Sequence, residues 1–231
     1  MHNSTVIRLV NGRLAWYAPG TSDEPRWLDE AESRDSLYAA MAEQRMVLCF
    51  AAPGADVRLL RLSLSSEEKK HIGKSLPFML EERVAEDIDE LHFASVALDK
   101  LDLGVAVCSI ERMEAWQSEL ADYPGIRLWL PEPLLLPWRN GEWCIVLEGE
   151  DAIVRFDQCG GFTVERALLP AMLAGLPVDQ PGPGAVIFYG RDQAADTALL
   201  PEHLQAKVQW RRGNLASALL LGETPQPTLN L

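Results

Sequence analysis

The first seventeen residues alternate in a way that predicts two short strands. Thr5-Val6-Ile7-Arg8-Leu9-Val10 and Arg13-Leu14-Ala15-Trp16-Tyr17 flank Asn11-Gly12, a pair that tolerates the positive φ angles of a tight hairpin. Ser33 or Asp35 caps an expected helix through about Gln44, and the continuous apolar run Met46 to Ala51, ended by Pro53-Gly54, predicts a strand buried on both faces. Val57 to Leu64 predicts another strand. Ser65 and Glu68 have capping-box spacing, and Ile72, Leu76, Leu80, Val84 and Ile88 then recur every four residues as one stripe. Pro77 interrupts that stripe, so a kink or two helical pieces are expected, the second opening at Pro77.

Leu91 to Val96 alternates as a strand. Gly104 to Ser109, Glu111 to Ala121 and Ile126 to Leu130 then follow as strand, helix and strand, expected to be a right-handed parallel crossover. Pro131, Pro133 and Pro137 break the pattern before Asn140-Gly141. Beyond it, Trp143 to Leu147, Ala152 to Phe156 and Phe162 to Glu165 predict a three-stranded meander. A helix over Leu168 to Gly175, a loop over Pro177 to Gly184, a strand over Ala185 to Tyr189 and a helix over Leu215 to Leu221 complete the pattern. A hairpin followed by a crossover in each half suggests a duplicated ribonuclease-H-like plan.

The chain has 231 residues, of which 48% are hydrophobic and 24% charged, so it carries enough apolar surface to fold as one large domain or two to three subdomains. Its net charge of −13 repels phosphate backbones, which argues against nucleic acid as a partner. Cys49, Cys108, Cys144 and Cys159 form no Cys-x-x-Cys pair, and His2, His71, His92 and His203 are scattered; neither set has metal-ligand spacing, and free thiols suit a reducing compartment. No export signal and no run of about 18 apolar residues is found.

Chemistry-bearing motifs are few. Gly73-Lys74-Ser75 resembles the end of a phosphate loop, but the position of the required upstream glycine holds Glu68, which would repel a triphosphate. There is no Gly-x-Ser-x-Gly and no His-Glu-x-x-His. The strongest local feature is acidic: Glu81, Glu82, Glu86, Asp87, Asp89 and Glu90 stand against Arg83 alone. Such a run is a solvated face, a docking face for a basic protein surface or a divalent-metal site, although it lacks the alternating oxygens and turn glycine of a calcium loop.

Leu76-Pro77-Phe78-Met79-Leu80-Glu81-Glu82-Arg83-Val84-Ala85-Glu86-Asp87-Ile88-Asp89-Glu90-Leu91-His92-Phe93 closely resembles a segment of the cytoplasmic part of the type II secretion system protein L family. So do Leu130-Pro131-Glu132-Pro133-Leu134-Leu135-Leu136-Pro137 with the preceding Trp116 helix, the strand from Trp143 to Glu148, and the closing Leu229-Asn230-Leu231. The resemblance implies an α/β, actin-like ATPase (ribonuclease-H-like) fold with two related halves and a small inserted α+β subdomain. The implied division is 1–55 with 101–139, the insertion 56–100, the second half 140–222, and a linker 223–231 running towards a transmembrane helix absent from this chain.

The resemblance further implies a non-catalytic scaffold at the cytoplasmic face of the bacterial inner membrane. Its implied partners are the secretion ATPase, protein E, the inner-membrane protein M and a second copy of itself. Leu76, Phe78, Leu80, Glu81, Glu82, Glu86, Asp87, Asp89 and Glu90 are the expected partner-binding residues; no catalytic residue, cofactor or metal is expected. Actin-like ATPases hold nucleotide on three loops, and all three look degenerate here. The first is a bare Asn11-Gly12 turn, the second is the acidic Leu147-Glu148-Gly149-Glu150-Asp151, and the third keeps only Gly190 in Phe188-Tyr189-Gly190-Arg191. The alternative is an active nucleotide-binding ATPase or switch using the cleft between the halves, with Glu148 as its acid.

Overall fold

A computed structural model describes residues 4–17, 24–43, 47–176, 182–221 and 229–231. In chain order the elements of the first part are β1 (Ser4–Val10), β2 (Arg13–Tyr17), β3 (Arg26–Trp27), α1 (Ala31–Glu43), β4 (Val47–Ala52), β5 (Arg58–Ser63), α2 (Ser66–Glu81), β6 (Leu91–Ala97), β7 (Asp102–Ser109), α3 (Ile110–Glu119) and β8 (Ile126–Pro131). A 3-10 turn over Glu132–Leu135 leads on to β9 (Glu142–Glu148), β10 (Asp151–Asp157), β11 (Gly160–Glu165), α4 (Leu169–Ala174), β12 (Ala185–Gly190), α5 (Gln193–Thr197), α6 (Glu202–Gln205), β13 (Val208–Arg212) and α7 (Leu215–Leu221).

Two five-stranded sheets have the same build. The first runs β3-β2-β1-β4-β8 and the second β11-β10-β9-β12-β13; in each, a meander of antiparallel strands is extended by two parallel ones. That repetition is the expected duplicated plan, invisible as residue identity but explicit as strand order. The β1–β2 hairpin turns on Asn11 and Gly12 at φ 51° and 74°, the left-handed values that a two-residue turn demands.

The third sheet, β5-β7-β6, is wholly antiparallel and corrects one expectation. β7, α3 and β8 do not form a parallel crossover: β7 sits between β5 and β6, and β8 pairs instead with β4. The reason lies in β7 itself. Leu103, Val105 and Val107 face the small core with Leu80 and Leu91, whereas Ala106 and Cys108 face the large core with Phe50 and Trp116. A strand buried on both faces belongs at the centre of a sheet.

Helix α2 is one element containing Pro77, not two pieces, and it stops at Glu81 with Glu82 as its cap. The apolar stripe nevertheless stays together. Leu76 and Leu80 are buried from the helix, and Val84 and Ile88 reach the same core from beyond its end. The capping box forms as its spacing predicts, with Glu68 N–H donating to Ser65 Oγ at 3.2 Å and Ser65 N–H to Glu68 Oε2 at 2.7 Å, a contribution of about 1 kcal/mol. At the C-terminus, residues 223–228 of the expected linker lie outside the described residues. The last three do not stand off the domain: Leu229 is fully buried, Leu231 N–H donates to Trp129 O at 3.0 Å, and Asn230 Oδ1 accepts from Trp129 N–H at 2.7 Å.

The two large sheets meet through α7 and through the Glu132–Leu135 turn. Leu215 and Ala218 of α7 pack on the second sheet, Ala216 packs on Ala15 and Tyr17, and Leu219 reaches Val6 and Leu130. Glu132 is 2% exposed. It pairs with Arg8 of β1, accepts from Gly54 N–H at 3.4 Å just after β4, and accepts from Thr163 Oγ of β11 at 3.1 Å. Burial works against the Arg8 charge, but Glu132 outweighs it and holds the guanidinium above its ordinary value. Gly54 admits this cluster because any Cβ there would overlap Thr163 and come within 2.8 Å of Pro133. Arg155 of β10 then fixes the same turn from the other side. Its Nη1 donates to Leu134 O and Leu136 O, both at 2.8 Å; burial pushes it down to about 10, which leaves it charged at neutral pH.

Removing one member of a buried pair leaves the other charge unmatched, so Glu132→Leu is expected to cost about 3–5 kcal/mol in urea denaturation. The double change Arg8→Met with Glu132→Leu is expected to recover most of that loss; a double variant as unstable as the single one would contradict the pairing. The thiols set a second expectation. Burial pushes Cys49 and Cys144 from 9.0 up to about 12, so the folded protein holds protons that the unfolded chain releases. Their stabilising contribution is complete below pH 9 and is lost as pH rises towards 12, by about 1.4 kcal/mol per thiol per pH unit. The melting temperature should therefore fall between pH 8 and 10, and fall less in Cys144→Ala.

Candidate functional site

The partner-binding residues expected from sequence divide by helical geometry. With 100° between successive positions, Leu76 and Leu80 share the inward face of α2; they are 8% and 0% exposed and form part of the small core. These two turn away from solvent and hold the element in place. Phe78, half-way between them, points the opposite way and is 73% exposed. Glu81 and Glu82 follow at i+3 and i+4 and so flank the Phe78 ring on the same outward face. Both are exposed.

The other four carboxylates cap and border the turn that returns the chain to β6. Glu86 accepts from Ala85 N–H at 3.0 Å and lies 3.9 Å from Arg58 Nη1. Asp87 caps the 3-10 turn Ile88–Glu90, accepting from Asp89 N–H at 3.0 Å. Asp89 and Glu90 are exposed. The six acids thus follow one another along the end of α2 and the turn into β6, with Phe78 one helical turn earlier. Among the described residues, no three His, Cys, Asp or Glu side chains converge as metal ligands.

Glu81 and Glu82 are placed against their own helix. They stand at its C-terminus, where the macrodipole is negative, and the last turn holds no basic residue to offset them; each such placement costs about 0.3–1 kcal/mol.

Of the three loops expected to be degenerate, the second and third carry carboxylates bonded within the protein. The first hairpin presents only Asn11-Gly12, and its Arg13 is drawn away to Asp29 at 2.8 and 2.9 Å. At the second, Glu148 Oε2 accepts from Leu215 N–H at 2.9 Å and so caps α7. At the third, Gly190 is needed because a Cβ would overlap the Asp196 carboxylate. That carboxylate accepts from the N–H groups of Arg191 and Asp192, both at 2.9 Å, and pairs with Arg166 at 2.9 Å. The Gly73-Lys74-Ser75 near-match lies inside α2, not in a strand-to-helix loop.

Residues 26–227 match the family model described as type II secretion system (T2SS), protein L. The chain belongs to the type II secretion system protein L family. A protein L of Dickeya chrysanthemi is 28% identical over 217 residues, covering 85% of this chain and 54% of that protein; one of Klebsiella pneumoniae is 32% identical over 164 residues, covering 70% and 40%. The chain therefore spans about half the length of the curated relatives it matches. Among solved structures, it is similar to the cytoplasmic domain of EpsL, an inner membrane component of the type II secretion system of Vibrio cholerae. That similarity has a TM-score of 0.69 at 14% identity, covering 94% of this chain and 92% of that one. A chain of the PilM–PilN type IV pilus biogenesis complex follows at 0.59 and 10%, covering 94% and 90%. The fold of this protein L chain is actin-like.

Sequence reading missed Arg8, Arg155 and Asp196, although each left a signal. Each is a lone charge inside or beside an apolar run, which folding tolerates only when a partner is buried with it. The placement of Glu81 and Glu82 leads to a measurable expectation. Replacing both with Lys should stabilise the protein by about 0.5–2 kcal/mol, a rise of several degrees in Tm, whereas Leu80→Ala should lose about 2–5 kcal/mol. Differential scanning calorimetry checks both; a double-Lys variant that melts lower would contradict the dipole argument.

Proposed function

We propose that this chain is the cytoplasmic scaffold of the type II secretion inner-membrane platform, recruiting the secretion ATPase, protein E, to the membrane and coupling it to the platform without catalysis of its own. The observation that carries this reading is Phe78, 73% exposed and bordered by carboxylates that cost their helix stability. An exposed aromatic flanked by like charges offers a basic partner both an anchor and a steering field. Leu76 and Leu80 contribute by fixing the angle at which Phe78 is presented.

The same reading assigns the inner-membrane protein M and a second copy of this chain as further partners. It places residues 223–231 as the lead towards a transmembrane helix. Among the described residues, no helix is long and apolar enough to cross a membrane. The inserted subdomain, expected over 56–100, is extended in this reading to 109 because β7 shares its hydrogen bonds with β5 and β6; the two halves that flank it correspond to the two five-stranded sheets.

Titration calorimetry of purified protein E against this chain tests the assignment. Phe78→Ala, Glu86→Lys and Asp87→Lys are each expected to weaken binding by about tenfold or more, and added salt to weaken the wild-type complex. Unchanged affinity in all three variants would remove the site from this face. Mg-ATP titrated into the chain is expected to give no saturable heat, because the acidic run Glu148 to Asp151 repels phosphates and Glu148 and Asp196 are bonded within the protein. Micromolar binding would instead establish the nucleotide-switch reading.

A further inference from the structure

We propose that the outer edge of β13 is a second docking surface, one that takes an extended acidic peptide as an added strand. β13 is the terminal strand of the second sheet, in the place that β8 takes in the first. Along β8 the chain itself supplies an extended segment, with Asn230 and Leu231 both bonded to the Trp129 main chain. Among the described residues no segment lies along β13 in that way.

The register defines which groups are open. Lys207 O accepts from Val186 N–H, and Gly213 N–H donates to Gly190 O, so the main-chain groups of Lys207 and Gly213 face β12. Strand alternation then turns the N–H and C=O groups of Val208, Trp210 and Arg212 outwards. Those groups form a template for a further strand.

The charge of this edge selects the occupant. Arg211 and Arg212 lie on β13, Gly190 pairs with Arg212, and Arg191 follows directly, so three exposed arginines gather at one end of the edge. The nearby carboxylates are committed elsewhere: Asp192 caps α5 through Ala194 and Ala195 N–H, and Asp196 is paired with Arg166. Arg211 Nη1 donates to Tyr189 Oη at 2.8 Å, which fixes its position. Arg191 and Arg212 have no ion pair among the described residues. Cations on an edge ordinarily block pairing with another edge of the same sign. In a chain of net charge −13, this local positive group admits acidic strands selectively. The inference is independent of the Phe78 site, which lies on helix α2 beside the third sheet.

The test uses the whole chain and a synthetic alternating Glu-Thr peptide of about eight residues, enough for one strand. Nuclear magnetic resonance titration is expected to shift the amides of Val208 to Arg212. Arg212→Glu, and separately N-methylation of alternate peptide residues, should each weaken binding by about tenfold or more; a Lys-Thr peptide of equal length should leave the amides unmoved. Arg212 is exposed, and an unchanged Tm for Arg212→Glu confirms that the loss is one of binding. Absence of binding by the Glu-Thr peptide would overturn the proposal, as would equal binding of its N-methylated form. Co-sedimentation with phosphatidylglycerol vesicles that depends on Arg212, without peptide binding, would overturn it in favour of a lipid surface.

Discussion

The carboxylate of Glu132 is shared by Arg8 of the first sheet, the amide of Gly54 and the hydroxyl of Thr163 in the second sheet. A charge at that depth survives only because both carboxylate oxygens find donors, one of them charged. The geometry leaves little latitude, since Gly54 has no room for a Cβ and Arg155 grips the following carbonyls from behind. The proline-flanked turn around Glu132 is thereby welded to both halves, and the relation between the two sheets rests on a polar joint instead of a flexible connection. Apolar burial by α7 reinforces the joint but is non-directional; the hydrogen-bonded carboxylate is what selects one orientation.

Two further carboxylates organise loops of the actin-like architecture from within the chain. Nucleotide-binding members of such folds organise their loops around phosphates and a cation. Here Glu148 caps a helix and Asp196 gathers two amides and an arginine, so internal carboxylates supply the negative groups around which the loops close.

Strand and helix positions were mostly legible because period-two and period-four patterns, a capping box and an Asn-Gly turn are local signals. What was not legible was pairing. Nothing local distinguishes β7 as the centre of a three-stranded sheet from β7 as one arm of a crossover; its two apolar faces are evident, but the cores they meet come from residues distant in sequence. Short elements escaped for the opposite reason. β3, α5, α6 and β13 have two to five residues each, too few for any periodicity to register. The acidic cluster was legible as composition, yet the division of its helix into inward Leu76 and Leu80 and outward Phe78 required the burial pattern.

Leu229 to Leu231 lie against β8 at Trp129, three positions before Glu132. The bonds at Trp129 and the apolar seat of Leu229 would carry any tension on that segment straight into the strand that ends at the joint between the halves. A displacement at Trp129 cannot be absorbed by a loop, because the residues from there to Leu136 are held as strand or as clamped turn. In mechanical terms the segment bears on a stiff strand that ends at the buried carboxylate, so strain entering there reaches the joint between the halves undiminished by slack.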